Sequence, residues 1–150
     1  MPTAEQQLKT FIDKFDPSNR ALIRAARRAM RKRFPTSHEL VYDNYNFFVI
    51  GYSPTERPSD AIFSIVAQAS GVGICFINGA TLKDPDNFLT GGGKQVRFLR
   101  LPDVSVLDKP GVKKLMAAAV AQSRAPFPKT GRTQLVIRAI SKKQRPRRRD

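Results

Sequence analysis

Apolar residues recur with helical spacing over the first 35 positions of the chain. Four of them share one stripe at intervals of three and four residues: Leu8, Phe11, Ile12 and Phe15. This spacing predicts a helix over residues 4–15. Thr3 precedes the stripe and Gln6 follows three positions later, a pair that is typical of a capping box at a helix N-terminus.

A second helix is predicted to begin at Pro17. Asp16 fits its N-cap, and proline suits the first helical position because no intrahelical N–H is needed there. Pro35 ends the helix. Its predicted buried face is made mostly of small side chains: Leu22, Ala25, Ala26, Ala29 and Met30. Basic residues occupy the rest of its surface.

The pattern changes to that of β-strands from residue 39 onward. Aromatic and β-branched residues predict strands over 39–42, 45–52, 61–68, 72–77, 95–101 and 135–140. Residues 84–89 are predicted to form a short helical turn. A third long helix is predicted to begin at Pro110 with Asp108 as its cap.

This order of elements predicts an α+β fold. Strands joined by short turns indicate a two-layer sandwich, with helices packed on a mainly antiparallel sheet of five to six strands. Residues 1–141 are predicted to form a single domain, followed by a basic flexible tail at 142–150. Because the central strands carry few charges, we expect helices on one sheet face. A loop, the tail or a partner chain, as in a homodimer, would cover the other.

The net charge of the chain is strongly positive. Its 150 residues include 27 Lys and Arg but only 12 Asp and Glu, which gives +15. Residues 20–33 hold seven bases and no acid, and the tail holds six bases. Such a charge attracts phosphate polyanions and acidic surfaces. The predicted polyanion-binding residues are Arg24, Arg27, Arg28, Arg31, Lys142, Lys143, Arg145, Arg147, Arg148 and Arg149. The alternative is a solvated basic surface that only confers solubility.

Three features of the sequence predict a cytoplasmic protein without membrane contact. Cys75 is the only cysteine, which excludes an internal disulfide and indicates a reducing compartment. The first residues lack the basic and apolar regions of a signal peptide. No apolar run approaches the roughly 20 residues that span a bilayer.

A second candidate site combines a glycine-rich segment with nearby polar side chains. Residues 91–94 read Gly-Gly-Gly-Lys, which can expose backbone N–H groups to an anion but lacks the spacing of a Walker A loop. The predicted ligand-binding residues for a small anion are Tyr42, Asn44, Lys94, Arg97 and Arg100. The alternative is a flexible glycine connection beside an Asx turn with core tyrosines.

Four motifs resemble one branch of the YdhG-like bacterial domains of unknown function. They are ELVYDNY at 39–45, ERPSDAI at 56–62, GGGKQVR at 91–97 and KKQRPRR at 142–148. The resemblance covers nearly the whole chain and implies helices packed on a mainly antiparallel sheet. Some relatives are described as frataxin-like iron chaperones. This chain departs from that function, because iron prefers carboxylate and imidazole ligands and there are only 12 acids and one histidine.

The sequence favours a binding protein over an enzyme. Cys75 lies in an apolar strand and His38 has no evident partner, so no nucleophile and base are paired. Asp43, Glu56 and Asp60 are the only acids near the predicted anion site. We therefore predict no catalytic residue, metal or cofactor. The predicted function is a module that binds a small anion or an acidic partner. The alternatives are nucleic-acid binding through the second helix and the tail, and iron binding.

Overall fold

A computed structural model describes residues 1–149 and contains three helices. They are α1 (Ala4–Ile12), α2 (Pro17–Arg33) and α3 (Pro110–Ala121). The predicted caps of α1 and α2 are confirmed, since Thr3 and Gln6 form a capping box and the Asp16 side chain accepts a hydrogen bond from Asn19 N. The predicted cap of α3 is wrong. Lys109 occupies the N-cap position, and Asp108 pairs instead with Arg33 at 3.0 Å.

The sheet has seven strands rather than the predicted five to six. They are β1 (His38–Asp43), β2 (Phe48–Ser53), β3 (Phe63–Gln68), β4 (Gly71–Phe76), β5 (Leu89–Thr90), β6 (Arg97–Arg100) and β7 (Gln134–Ile140). The additional strand, β5, lies where the predicted helical turn ends. The order across the sheet is β5-β6-β4-β3-β2-β1-β7. All strand pairs are antiparallel except β1 with β7, so the sheet is mixed. With three helices, the fold is of the α+β class.

The helices cover one face of the sheet and form the core with it. On β2, Phe48, Ile50 and Tyr52 point toward the helices and are fully buried. The Phe48 ring contacts Phe11 and Phe15, with ring centroids 6.3 and 5.9 Å apart. Alternate residues point to the opposite side, which we call the open face. No helix within residues 1–149 packs on the open face.

The C-terminal segment, residues 141–149, folds back onto the domain in the part of the chain that the structure describes. Ser141 N donates to the Asp43 carbonyl at 2.9 Å, and Arg145 N donates to the Tyr45 carbonyl at 2.9 Å. The Arg147 side chain is only 5% exposed. These contacts differ from the flexible tail that the composition predicts for 142–150, because one arginine of this segment is a buried partner of the domain.

Within residues 1–149, every helix is too short or too polar to cross a membrane.

Candidate functional site

The structure does not bring the five predicted anion-binding residues together. Tyr42 lies on β1 and Asn44 in the following turn, whereas Arg97 and Arg100 lie on β6. β1 and β6 are four strand spacings apart in the sheet, which is about 19 Å. Arg97 and Arg100 also point to opposite faces, because they are three positions apart on one strand. The five residues therefore do not line one pocket in this structure.

The glycine-rich segment is bound by its own arginine. The Arg97 guanidinium donates from Nη1 to the carbonyl oxygens of Gly93 and Val96 at 2.6 and 2.8 Å. Lys94 is exposed and extends from the same loop. Two carbonyl groups of this loop accept hydrogen bonds from Arg97. That side chain therefore does not help the loop to present its N–H groups to an anion. Arg97 stabilises the connection before β6.

One predicted polyanion-binding arginine of α2 belongs to a buried network. Arg27 donates from Nε and Nη2 to Glu39 at 3.0 and 2.9 Å, and it also contacts Glu5 at 2.7 Å. Glu39 is 0% exposed, and Tyr52 donates its hydroxyl proton to it at 2.8 Å. Hydrogen bonds from Arg27 lower the pKa of Glu5 below its ordinary value. Arg27 is therefore held by two acids, which leaves its guanidinium less available to a phosphate than the sequence predicts.

A second buried network is centred on Asp43, which is 0% exposed. Its two carboxylate oxygens accept from Lys14 Nζ at 2.8 Å and Arg147 Nη2 at 2.9 Å. Burial by itself would raise the pKa of Asp43, but hydrogen bonds, led by that from Lys14, lower it below its ordinary value. Gln144 donates to the Asp43 carbonyl at 2.8 Å. Arg147 thus holds the C-terminal segment to the domain and is not free for a polyanion.

The other predicted bases are more accessible. On α2, Arg28 is exposed, Arg24 pairs with Asp13 at 2.8 Å, and Arg31 lies 3.9 Å from Glu39 at the edge of the buried network. In the C-terminal segment the exposed bases are Lys142, Lys143, Arg145, Arg148 and Arg149. Because Arg147 is buried against Asp43, it fixes the position of this segment on the domain. Its exposed bases therefore lie beside the sheet rather than on a free arm.

The open face carries a groove next to these bases. It has a volume of about 520 Å³, and its lining includes Phe47, Val66, Gly73, Phe98, Arg100 and Arg149. We call it the sheet groove. A Cβ atom at Gly73 would lie 2.9 Å from the Leu99 carbonyl oxygen, so the close approach of β4 and β6 requires glycine. The missing side chain keeps the floor of the groove low.

Within residues 1–149, aromatic rings and arginines line the sheet groove and no acid does. Phe47 and Phe98 are each 41% exposed, which is unusual for rings next to a sheet core. In the described part of the chain, the outward positions of β1, β2, β3, β4 and β6 include no Asp or Glu. A second groove shares Arg149 with the first and is lined by Arg145 and Arg148. The basic C-terminal segment thus continues the sheet groove around the end of the sheet.

Sequence reasoning placed no functional residue at Phe47 or Phe98. The alternation of side chains along each strand could have placed these two rings on the open face. Phe48 is buried among the helices, so its neighbour Phe47 must point to the other side, and Phe98 alternates with the buried Leu99 in the same way. Arg100 shares the parity of Phe98 and is the only predicted anion-binding residue that lines the sheet groove.

Cys75 lies on the open face of β4 and is expected to be a slow nucleophile. Burial raises the pKa of its thiol to about 11 from an ordinary value of 9.0. At pH 7 the reactive thiolate is then about 100-fold rarer than in an ordinary cysteine. We expect iodoacetamide to modify the native protein at least this much more slowly than the chain unfolded in urea, as followed by mass spectrometry. Equal rates would show that Cys75 is not shielded.

No group of three or more His, Cys, Asp or Glu residues within 1–149 is placed to hold a metal ion. The iron-binding alternative therefore has no ligand cluster in this part of the chain.

Comparisons with protein-family models, with curated proteins and with solved structures found no match to this chain. The resemblance to YdhG-like domains stays a prediction from the sequence motifs.

Proposed function

We propose that this chain is a non-enzymatic nucleic-acid-binding protein whose basic surface holds the phosphate backbone. The location of the excess positive charge is the observation that supports the proposal. The two fully buried acids, Glu39 and Asp43, are each paired with a largely buried arginine. Because these pairs are neutral, the excess of +15 is carried by the surface. A surface of this charge attracts phosphates and releases their counterions on binding.

The proposed phosphate contacts are the predicted bases that are exposed and form no ion pair with an acid in residues 1–149. They comprise Arg28 on α2 and five residues of the C-terminal segment: Lys142, Lys143, Arg145, Arg148 and Arg149. A small anion is not proposed as the ligand, because the side chains predicted for it diverge. An acidic protein surface is the alternative partner, since it offers the same sign of charge.

The proposal is tested by salt-dependent binding of a fluorescent oligonucleotide, measured by anisotropy between about 50 and 200 mM salt. We expect log K to fall linearly with log salt, with a slope of several units. The double substitution Lys142→Gln and Lys143→Gln is expected to reduce the magnitude of that slope by about 2, because each lysine contributes about one phosphate contact.

The matched control is Lys113→Gln with Lys114→Gln. These adjacent lysines are also exposed but lie on α3, an element that holds none of the proposed contacts. We expect the control variant to keep the wild-type slope. Absence of binding at about 50 mM salt would contradict nucleic-acid binding. Equally tight binding of polyglutamate would instead support the acidic-partner alternative.

A further inference from the structure

We propose, building on nucleic-acid binding as the function, that the sheet groove is a site for a single strand. In this site, bases stack on Phe47 and Phe98 while Arg100 and Arg149 hold the phosphates. Duplex nucleic acid would bind only to the basic surface outside the groove.

The aromatic rings provide the first reason. The chain has ten Phe and three Tyr residues, and only Tyr45, Phe47 and Phe98 are exposed. Two of these three line the same groove. A ring that is 41% exposed on a sheet face offers a flat surface to an unpaired base. Stacking of bases on sheet aromatics is a general mode of single-strand recognition.

The charges around the rings provide the second reason and select the ligand. Arg100 lies beside Phe98 on the open face, and Arg149 reaches the groove from the C-terminal segment. An apolar protein partner would not need these guanidinium groups, and an arginine can bind a phosphate with two hydrogen bonds. Rings interleaved with arginines, and no acid on the outward strand positions, match a ligand that has both π-faces and negative charge.

The shape of the groove favours an unpaired strand. Phe47 precedes β2 and Phe98 lies on β6. They are three strand spacings apart across the sheet, about 14 Å, and four residues apart along it, about 13 Å, which gives about 19 Å in all. The low floor at Gly73 lies between the two rings. A strand can cross this floor and present a base to each ring. In a duplex the bases are stacked on one another, so their faces are not available to the protein.

The experiment compares three oligonucleotides of about 12 residues by fluorescence anisotropy at low salt. They are a single strand, the same strand with abasic sites, and a duplex. For Phe47→Ala and Phe98→Ala we expect the affinity for the single strand to fall by about 5- to 150-fold each. Binding of the abasic strand and the duplex should change less than about 2-fold, because neither offers a base to stack.

The matched control is Ile140→Ala. Ile140 is 53% exposed but lies on β7, at the opposite edge of the sheet from the groove. We expect this variant to bind all three oligonucleotides as the wild type does. Both aromatic rings are 41% exposed, so their removal should lower the melting temperature by only a few degrees, and a thermal melt checks that each variant is folded.

A fluorescent variant gives an independent readout. The chain has no tryptophan, so Phe98→Trp introduces a single indole into the groove. We expect this variant to retain or increase single-strand affinity, since an indole also stacks, and its emission to be quenched by the single strand but not by the abasic strand.

The outcomes separate the two proposals. Failure of all three oligonucleotides to bind would overturn both nucleic-acid binding and the single-strand site. If they bind but Phe47→Ala and Phe98→Ala leave the single strand unaffected, or weaken all three equally, the groove site alone is overturned.

Discussion

Replacing Asp43 with alanine is expected to lower the free energy of unfolding by about 3–5 kcal/mol. The substitution removes a buried carboxylate from Arg147, which is 5% exposed and would keep its charge without a partner. Lys14 is less affected because its side chain is 39% exposed and can turn to water. Urea denaturation at neutral pH measures the change. The expected effect is large because the desolvated guanidinium remains after its counter-ion is lost.

The double variant Asp43→Ala with Arg147→Ala serves as its control. Removing both charges leaves no unpaired ion, so the loss should be clearly smaller than the sum of the two single losses. A loss of less than about 1 kcal/mol for Asp43→Ala, the range of exposed pairs, would contradict a buried Asp43–Arg147 pair. The C-terminal segment would then be free of the domain, as the composition alone predicts.

The same pair gives a pH dependence of defined sign. The folded-state pKa of Asp43 is lowered, since the hydrogen bonds outweigh the opposing effect of burial. Its contribution is therefore present above the unfolded pKa of about 4 and is lost as the pH falls through the lower folded value. We expect the stability difference between wild type and Asp43→Ala to be constant at neutral pH and to shrink below about pH 4.

The second large effect is expected at Glu39. Glu39→Ala should also cost about 3–5 kcal/mol, because it leaves Arg27 and the Tyr52 hydroxyl without their buried acceptor. Burial, and then the charge of Glu39, raise the pKa of Tyr52 well above its ordinary value. The hydroxyl is thus a proton donor at any pH of interest. Urea denaturation again measures the loss.

Two further substitutions in this network are expected to lower the free energy of unfolding by smaller amounts. Tyr52→Phe removes one hydrogen bond to a charged group and should cost about 1.5–3 kcal/mol. Glu5→Gln removes a partner of Arg27 that is 59% exposed and should cost less than about 1 kcal/mol. The expected order of destabilisation is Glu39→Ala, then Tyr52→Phe, then Glu5→Gln. If Glu5→Gln were the most costly, the buried position of Glu39 would be wrong.

Local signals in the sequence predicted the local parts of the fold. Thr3 and Asp16 cap their helices, because capping depends on a few adjacent residues. The pairing of β7 with β1 was not predicted. It joins residues about 95 positions apart in parallel, and no turn between them specifies the register. The two-residue strand β5 was missed because its pairing with β6 defines it, not its own composition.

The candidate site was predicted in its charge but not in its residues. Composition predicts the sign of the surface charge, but it does not show which basic residues pair with buried acids. Arg27 and Arg28 are adjacent in the sequence, and only the packing against Glu39 makes the first structural and leaves the second exposed. For the same reason, truncation after Ser141 is a poor test of binding. It would remove Arg147 from Asp43 as well as the exposed bases.

The most direct test is an amide chemical-shift map of the isotope-labelled protein, recorded as a single-stranded oligonucleotide of about 12 residues is added. We predict shift changes in the sheet groove, in the C-terminal segment and around Arg28, with the largest at Phe47, Phe98, Arg100 and Arg149. The amides of α3 should stay unchanged. Shift changes centred on α1 and α3, or none at low salt, would contradict this binding surface.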